Sequence, residues 1–154
     1  MQTLHFQFIT GPIAESSILE MLANQLNNKT GAQSLFIGRV RADEIEDSVI
    51  SAIDYSAYED LAYREAEKIM QELQEKFELH YLTILHSIGR VEVNQIAVAI
   101  ITSSIRRSQA IAACSEAINM IKQRLPIWGM EITQHGQVHW KVNTPTTSHN
   151  LSIS

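Results

Sequence analysis

The clearest helical pattern in the sequence is EDLAYREAEKIMQELQEKF, residues Glu59–Phe77. Its apolar residues recur at three- and four-residue spacing between charged residues, as they do in a helix that covers a core. This apolar stripe consists of Leu61, Ala62, Ala66, Ile69, Met70, Leu73 and Phe77. A helix with one apolar face needs a partner layer, so we expect a sheet beneath it.

The segments on both sides of this helix supply the sheet. Alternating or continuous apolar runs predict strands at Leu4–Thr10, Ala32–Arg41, Val49–Tyr58, His80–Ile88 and Ile96–Ser103, and a closing hairpin from Ile127–Thr133 and Gln137–Val142. Two more helices are predicted over Ala14–Leu26 and Arg106–Arg124, the second ending at Pro126. This order of elements predicts the α+β class, a mainly antiparallel sheet packed with helices.

Only an acidic loop at 43–47 separates the strands at Ala32–Arg41 and Val49–Tyr58, so we expect these two strands to pair. With 154 residues, the chain is long enough for one domain, which we place at 1–142. The polar segment 143–154 is predicted to be a flexible tail.

Composition and charge exclude several classes of protein. The chain is 45% hydrophobic and 19% charged, as in ordinary globular domains, and its net charge of −5 argues against charge-driven binding to nucleic acid or anionic membranes. No apolar run approaches the ~18 residues of a membrane-spanning helix, and Met1–Thr10 lacks the features of a secretory signal. The single cysteine, Cys114, cannot form an intramolecular disulfide. We therefore expect a soluble, cytoplasmic protein.

Two arginines next to Gly38 are the first candidate site. Arg39 and Arg41 are two residues apart on a predicted strand, so they are expected to project from the same face and could bind an anion as a fork. The alternative is that both arginines pair with the acidic loop at 43–47.

The long last helix carries the other candidate cations. Arg106 and Arg107 lie at its start, where free backbone amides favour an anion, although local ion pairs explain them equally well. Lys122 lies near its end, where a lysine complements the helix dipole even without a catalytic role. Fifteen residues of helix separate Arg107 from Lys122 by ~22 Å, so both can bind one small substrate only in a site shared between two subunits.

Other noticeable residues have simpler interpretations. His86 is predicted to be a buried structural histidine, Cys114 a small core residue, and Trp128 and Trp140 the filling beneath the closing hairpin. No zinc spacing, phosphate-binding glycine loop, dinucleotide fingerprint or nucleophile elbow is present. The motifs alone predict only an α+β domain with a candidate anion site.

Five ordered segments nevertheless resemble a known family. They are Phe36–Arg41, Tyr55–Ala62, His86–Gly89, Thr102–Arg107 and Lys122–Trp128, the last followed by Glu131. In this order and spacing they are similar to the large, catalytic subunit of molybdopterin synthase. The resemblance extends from about Phe6 to Asn143.

The resemblance implies a fold, a reaction and partners. The family fold is α+β with a mainly antiparallel sheet and a smaller inserted subdomain, of the α/β hammerhead type. A homodimer of large subunits carries a small ubiquitin-like sulfur carrier at each end, and converts cyclic pyranopterin monophosphate into the dithiolene molybdopterin. The thiocarboxylated C-terminus of the carrier supplies the sulfur, so no metal or other cofactor is expected.

The resemblance also assigns roles to residues. It implies that Lys122 is catalytic and that Arg41 and Arg107 bind substrate. The full predicted set of substrate-binding residues is Arg41, Arg106, Arg107, Phe36, Arg39 and Lys141. Guanidinium groups bind phosphate through paired donors, and a lysine can hold a thiocarboxylate or transfer a proton.

Three positions depart from the family pattern. Arg106 replaces a frequent histidine, and Ser87 follows His86 where the family usually has arginine. The family's second functional lysine normally follows the tryptophan, whereas this chain has Trp128-Gly129-Met130-Glu131. We expect Lys141, on the far side of the predicted hairpin, to reach into the pocket and compensate.

Two alternatives remain at this point. The absence of the second lysine favours a non-catalytic homologue that dimerises and binds the carrier or the pterin. The other alternative is an unrelated domain that binds small anions.

Overall fold

A computed structural model describes residues 3–141. Its strands are β1 (Thr3–Thr10), β2 (Ala32–Arg39), β3 (Glu44–Ile45), β4 (Ser48–Ala57), β5 (Tyr81–Glu92), β6 (Ile96–Ser104), β7 (Ile127–Thr133) and β8 (Val138–Trp140). Its helices are α1 (Glu15–Asn24), α2 (Glu59–Phe77) and α3 (Arg107–Arg124). The predicted tail at 143–154 lies outside the described residues.

The strands form an open sheet in the order β2-β6-β5-β4-β7-β8, to which β1 and β3 are added by pairing with β5 and β4. The β1–β5 pair is parallel, and the other pairs between these strands are antiparallel. The predicted α+β class with a mainly antiparallel sheet is therefore confirmed. No helix in residues 3–141 is long and apolar enough to cross a membrane.

The long strand β5 connects two parts of the sheet. Its first part pairs with β1 as far as Ile88, and β4 takes over as its partner from Gly89. Gly89 has a φ of 83°, a backbone conformation that favours glycine. This joint brings the polar residues of β4 next to those of β5.

The predicted pairing of the second and third long strands is wrong. β2 pairs with β6, whereas β4 lies between β5 and β7. All nine residues of β6 are buried, so this strand needs a neighbour on each side, and β2 and β5 fill those places. The loop between β2 and β4 instead contributes the short strand β3, which pairs with β4.

The core lies on both faces of the β5–β6 pair. Ile84 and Ile100 belong to a cluster that includes residues of α2 and α3, whereas Leu85 and Ile101 pack with Ile18 of α1. Neighbouring residues of a strand point to opposite faces, so α1 lies on one side of the sheet and the two long helices lie on the other. The uninterrupted apolar sequence of β6 follows from this burial on both faces.

Candidate active site

A cavity of about 190 Å³ lies where the end of α3 approaches the sheet. Its apolar wall includes Phe36 of β2 and Ile121 of α3, and its floor includes Ala97 and Val98 of β6. The polar side chains that line it are Arg39, Tyr55, His86, Lys122 and Lys141. Within residues 3–141, no group of three or more His, Cys, Asp or Glu side chains is placed to hold a metal ion.

Two lysines from distant parts of the sequence meet at this cavity. Lys122 lies in the last turn of α3, and Lys141 directly follows β8. Partial burial lowers the pKa of Lys141, and the charge of Lys122 lowers it further, while Glu131 acts in the opposite direction. Two ammonium groups in one cavity repel each other, so an anion bound with them would relieve the repulsion.

Lys141 enters the cavity beside Gly129. The backbone N–H of Lys141 donates to the carbonyl oxygen of Gly129 at 2.8 Å. A Cβ atom added to Gly129 would lie 3.7 Å from the Cβ of Lys141 and 3.0 Å from Cγ2 of Ile53. The Cβ of Lys141 thus lies next to the position that the Cβ of a lysine at position 129 would take.

Tyr55 and His86 form the polar wall between β4 and β5. Their rings meet edge to face, with centroids 5.2 Å apart. Burial, assisted by the negative charge of Glu131, raises the pKa of Tyr55 to about 12, so its hydroxyl stays protonated at neutral pH. Burial also lowers the pKa of His86, its hydrogen bond to Ser87 opposes this, and the charge of Lys141 lowers it further.

The sequence interpretation missed both of these residues. It did not single out Tyr55, and it treated His86 as a buried structural residue, whereas both side chains are partly exposed in the cavity wall. A polar ring within an otherwise apolar strand was the available signal, but the pattern does not reveal which face borders a cavity.

The predicted fork of Arg39 and Arg41 does not form. β2 ends at Arg39, and the pairing register shifts between Gly38 and Arg39, so the alternation assumed for a regular strand does not apply. Arg39 lines the cavity and donates to the carbonyl oxygen of Asn94 at 2.6 Å. Arg41 instead pairs with Asp43 at 3.2 Å, as the alternative interpretation expected for this arginine.

Arg106 and Arg107 lie at the opposite end of α3 from Lys122. Both are exposed, and together with Gly31 they border a separate shallow hollow. The intact helix from Arg107 to Arg124 keeps Arg107 about 22 Å from Lys122. The cavity of one chain therefore combines Phe36, Arg39, Lys122 and Lys141, but neither arginine of the helix start.

The two tryptophans do not fill a core. Trp128 is 50% exposed and Trp140 is 61% exposed. They lie on β7 and β8, at the end of the sheet farthest from β2, where the long helices do not cover them. Cys114, by contrast, is buried in the core as predicted.

The family model described as MoaE protein matches residues 10–124 of this chain. The chain belongs to the MoaE protein family. This membership excludes the unrelated anion-binding domain.

Relatives of this MoaE-family chain are named molybdopterin synthase catalytic subunit. The protein from Drosophila sechellia is 35% identical over 141 residues, which cover 90% of this chain and 37% of that protein. The protein from Pyrococcus abyssi is 31% identical over 121 residues, covering 79% of this chain and 81% of that protein. The chain thus spans about two fifths of the length of the Drosophila relatives.

Solved structures confirm the MoaE-family fold. Molybdopterin synthase from Staphylococcus aureus matches with a TM-score of 0.79 and 30% identity, covering 90% of this chain and 97% of that one. A complex of subunits 1 and 2 of molybdopterin-converting factor from Helicobacter pylori matches with a TM-score of 0.73 and 22% identity, covering 96% and 99%. At 22% identity, the match to the Helicobacter pylori structure shows only that the two chains share a fold.

Proposed function

We propose that this chain is a molybdopterin synthase catalytic subunit, an enzyme of molybdenum cofactor biosynthesis. It transfers sulfur from the thiocarboxylated C-terminus of a small ubiquitin-like carrier to cyclic pyranopterin monophosphate and so makes the molybdopterin dithiolene. The observation that carries this proposal is the pair of lysines, Lys122 and Lys141, in one cavity of a MoaE-family fold. A partly apolar cavity with two ammonium groups suits an anionic thiocarboxylate and an anionic pterin.

Lys122 is the catalytic residue in this proposal. Its place in the last turn of a long, packed helix holds the side chain at the cavity. An ammonium group there stabilises the negative charge of the thiocarboxylate and can donate a proton as the sulfur bond forms.

Lys141 supplies the second ammonium group in place of a lysine at position 129. Three observations support this role: its Cβ lies beside the site of a Cβ at Gly129, it lines the cavity, and its pKa responds to Lys122. A lysine with a lowered pKa exchanges protons more readily near neutral pH than an ordinary lysine.

Substrate binding involves a second subunit. Phe36 and Arg39 contact the pterin from the cavity wall, and Arg41 adds positive charge near Lys141. Arg106 and Arg107 of the other protomer in a homodimer hold the phosphate, because the ~22 Å between Arg107 and Lys122 excludes a shared site within one chain.

The small carrier docks next to the cavity. The Helicobacter pylori structure with the same fold is described as a complex of two subunits of molybdopterin-converting factor, which supports a small-subunit partner. Exposed aromatic side chains, Trp128 at the cavity and Trp140 on the adjacent strand, offer the apolar contacts that such an interface needs. We place the assembly in the cytoplasm.

Gly129 keeps one alternative open, a non-catalytic homologue that binds the carrier or the pterin without turnover. In that alternative, Lys141 would contribute to binding and would not take part in sulfur transfer.

Formation of molybdopterin tests the proposal. The purified chain is mixed with a thiocarboxylated carrier and cyclic pyranopterin monophosphate, and wild type is compared with Lys122→Ala. We expect a loss of at least about 10²-fold in rate, with carrier binding retained. Lys68→Ala is the matched control, since Lys68 lies on α2 in an exposed pair with Glu65. A folded wild-type protein that binds carrier but makes no product would support the non-catalytic alternative.

A further inference from the structure

The ring of His86 is held in one protonation pattern by the backbone. Nδ1 lies 2.8 Å from the carbonyl oxygen of Ser87. A carbonyl oxygen only accepts hydrogen bonds, so Nδ1 must carry the hydrogen. In the neutral imidazole, Nε2 is then a bare acceptor.

Packing also fixes the orientation of this ring. It meets Tyr55 edge to face at 5.2 Å and Phe8 at 6.4 Å, with interplanar angles of 83° and 72°. His86 is one of the residues that line the cavity. Of the two ring nitrogens of His86, Nδ1 has a hydrogen-bond partner within residues 3–141 and Nε2 has none. Nε2 is therefore available to a ligand.

Burial, with the charge of Lys141 as a smaller contribution, lowers the pKa of His86 and so favours a neutral ring. The charge of Lys141 acts on His86. Lys122 and Arg39 also line the cavity, and Arg39 is paired with Glu15 of α1 at 3.3 Å. Tyr55 faces the ring as a protonated hydroxyl, and Glu131 acts on Tyr55 and Lys141 from β7. Burial and neighbouring positive charge both oppose an imidazolium. The cavity therefore presents several cationic donors and, at His86, a neutral acceptor.

We propose that His86 is a specificity-determining binding residue, whose Nε2 accepts a hydrogen bond from an N–H or O–H group of an anionic ligand held by Lys122 and Lys141. The ligand class is an anion that also carries an N–H or O–H donor, because an anion without a donor leaves Nε2 unpaired; the pterin of the proposed function belongs to this class. This inference rests on the proposed function for the identity of the reaction.

Two substitutions distinguish the role of His86 as a hydrogen-bond acceptor from its role as a packed ring. His86→Phe keeps an aromatic ring against Tyr55 and removes the acceptor, and His86→Gln keeps an acceptor on a flexible side chain. We expect His86→Phe to raise both the KM and the Kd for cyclic pyranopterin monophosphate by about 10- to 100-fold, with a smaller change in kcat. His86→Gln should restore most of the affinity. Unchanged affinity in a folded His86→Phe protein would overturn the proposal.

The pH dependence supplies a signature that a purely structural histidine lacks. Below the lowered pKa of His86, protonation of Nε2 turns the acceptor into a donor, which can no longer pair with the donor group of the ligand. Wild-type affinity should therefore fall on the acid side below pH 6.5, and this fall should be absent from His86→Gln. The same acid fall in both proteins would contradict the proposal.

Nitrogen NMR of the wild-type protein tests the geometry without turnover. At neutral pH, His86 should carry its hydrogen on Nδ1, and cyclic pyranopterin monophosphate should shift the Nε2 resonance. If no molybdopterin forms but this shift occurs, the proposed function fails and the role of His86 stands. If product forms and His86→Phe has a wild-type KM, only the role of His86 fails. The proposed role of His86 is overturned if its hydrogen lies on Nε2, or if the wild-type protein does not bind the pterin.

Discussion

At the scale of single residues, Lys141 and Gly129 are adjacent, so the lysine can be moved from position 141 to position 129 as a test. Lys141→Ala should lower the rate of molybdopterin formation by about 10²-fold because it removes one of two ammonium groups. Gly129→Lys, added to Lys141→Ala, should recover part of this loss, since the two side chains start 3.7 Å apart. The recovery is partial because Ile53 must move away from the new Cβ.

The control for this exchange is Gly129→Ala in the same Lys141→Ala background, which adds the Cβ without the charge. Recovery with alanine as well, or wild-type rates in Lys141→Ala, would show that the second ammonium group is not needed.

Tyr55 gives a second prediction at this scale, for alkaline pH. Its pKa of about 12 in the folded protein lies above the ordinary value of 10.0. A raised folded pKa contributes stability below pH 10, and this contribution is lost as the pH rises from 10 to 12. The free energy of unfolding of wild type should therefore fall more steeply over this range than that of Tyr55→Phe. Absorbance titration of the phenol checks the pKa directly, and ordinary ionisation near pH 10 would refute it.

At the scale of elements, Gly89 joins the two parts of β5. Gly89→Ala places a side chain at a φ of 83°, but its Cβ meets no clash, since the N of Gly11 is 3.9 Å away. We expect the backbone conformation to cost about 1–2 kcal/mol of unfolding free energy. Because Gly89 of β5 pairs directly with Tyr55 of β4 in the cavity wall, this change should also lower activity.

Gly136→Ala is the matched control for the β5 joint. Gly136 has a similar φ of 80° and lies in the turn between β7 and β8. Denaturant unfolding should show a comparable loss of stability in both variants, with activity lowered only in Gly89→Ala. Equal activities would show that the joint does not position the cavity wall.

The helices illustrate what local pattern predicts well. α2 has the predicted bounds, and α3 begins one residue after the predicted start and has the predicted end. Their bounds were predictable because the apolar residues of each helix recur along the one face that is buried. The predicted pairing of β2 with β4 failed because pairing depends on β6, more than 50 residues farther along the chain.

At the scale of the whole molecule, the separation of Arg107 from Lys122 predicts complementation between inactive chains. Lys122→Ala and Arg107→Ala should each be inactive alone. After unfolding and refolding together, mixed dimers should contain one site with Lys122 from one chain and Arg107 from the other. Random assortment predicts recovery of about a quarter of wild-type activity.

Two results would contradict the shared site. One is a strict monomer by light scattering, and the other is no recovery in mixtures whose dimers have exchanged subunits. The double variant Lys122→Ala/Arg107→Ala, refolded with Lys122→Ala, is the control that should stay inactive, because neither chain supplies Lys122.

From the sequence alone, the fold class and the bounds of the two long helices were predictable to within a residue, because periodicity reports which side chains are buried. Tertiary structure decided which residues share the cavity. Lys141 lies beside Gly129 only because β7 and β8 pair, and His86 meets Tyr55 only because β5 changes partner at Gly89. Contacts between distant segments depend on strand pairing and packing, and a local pattern in one sequence does not encode them.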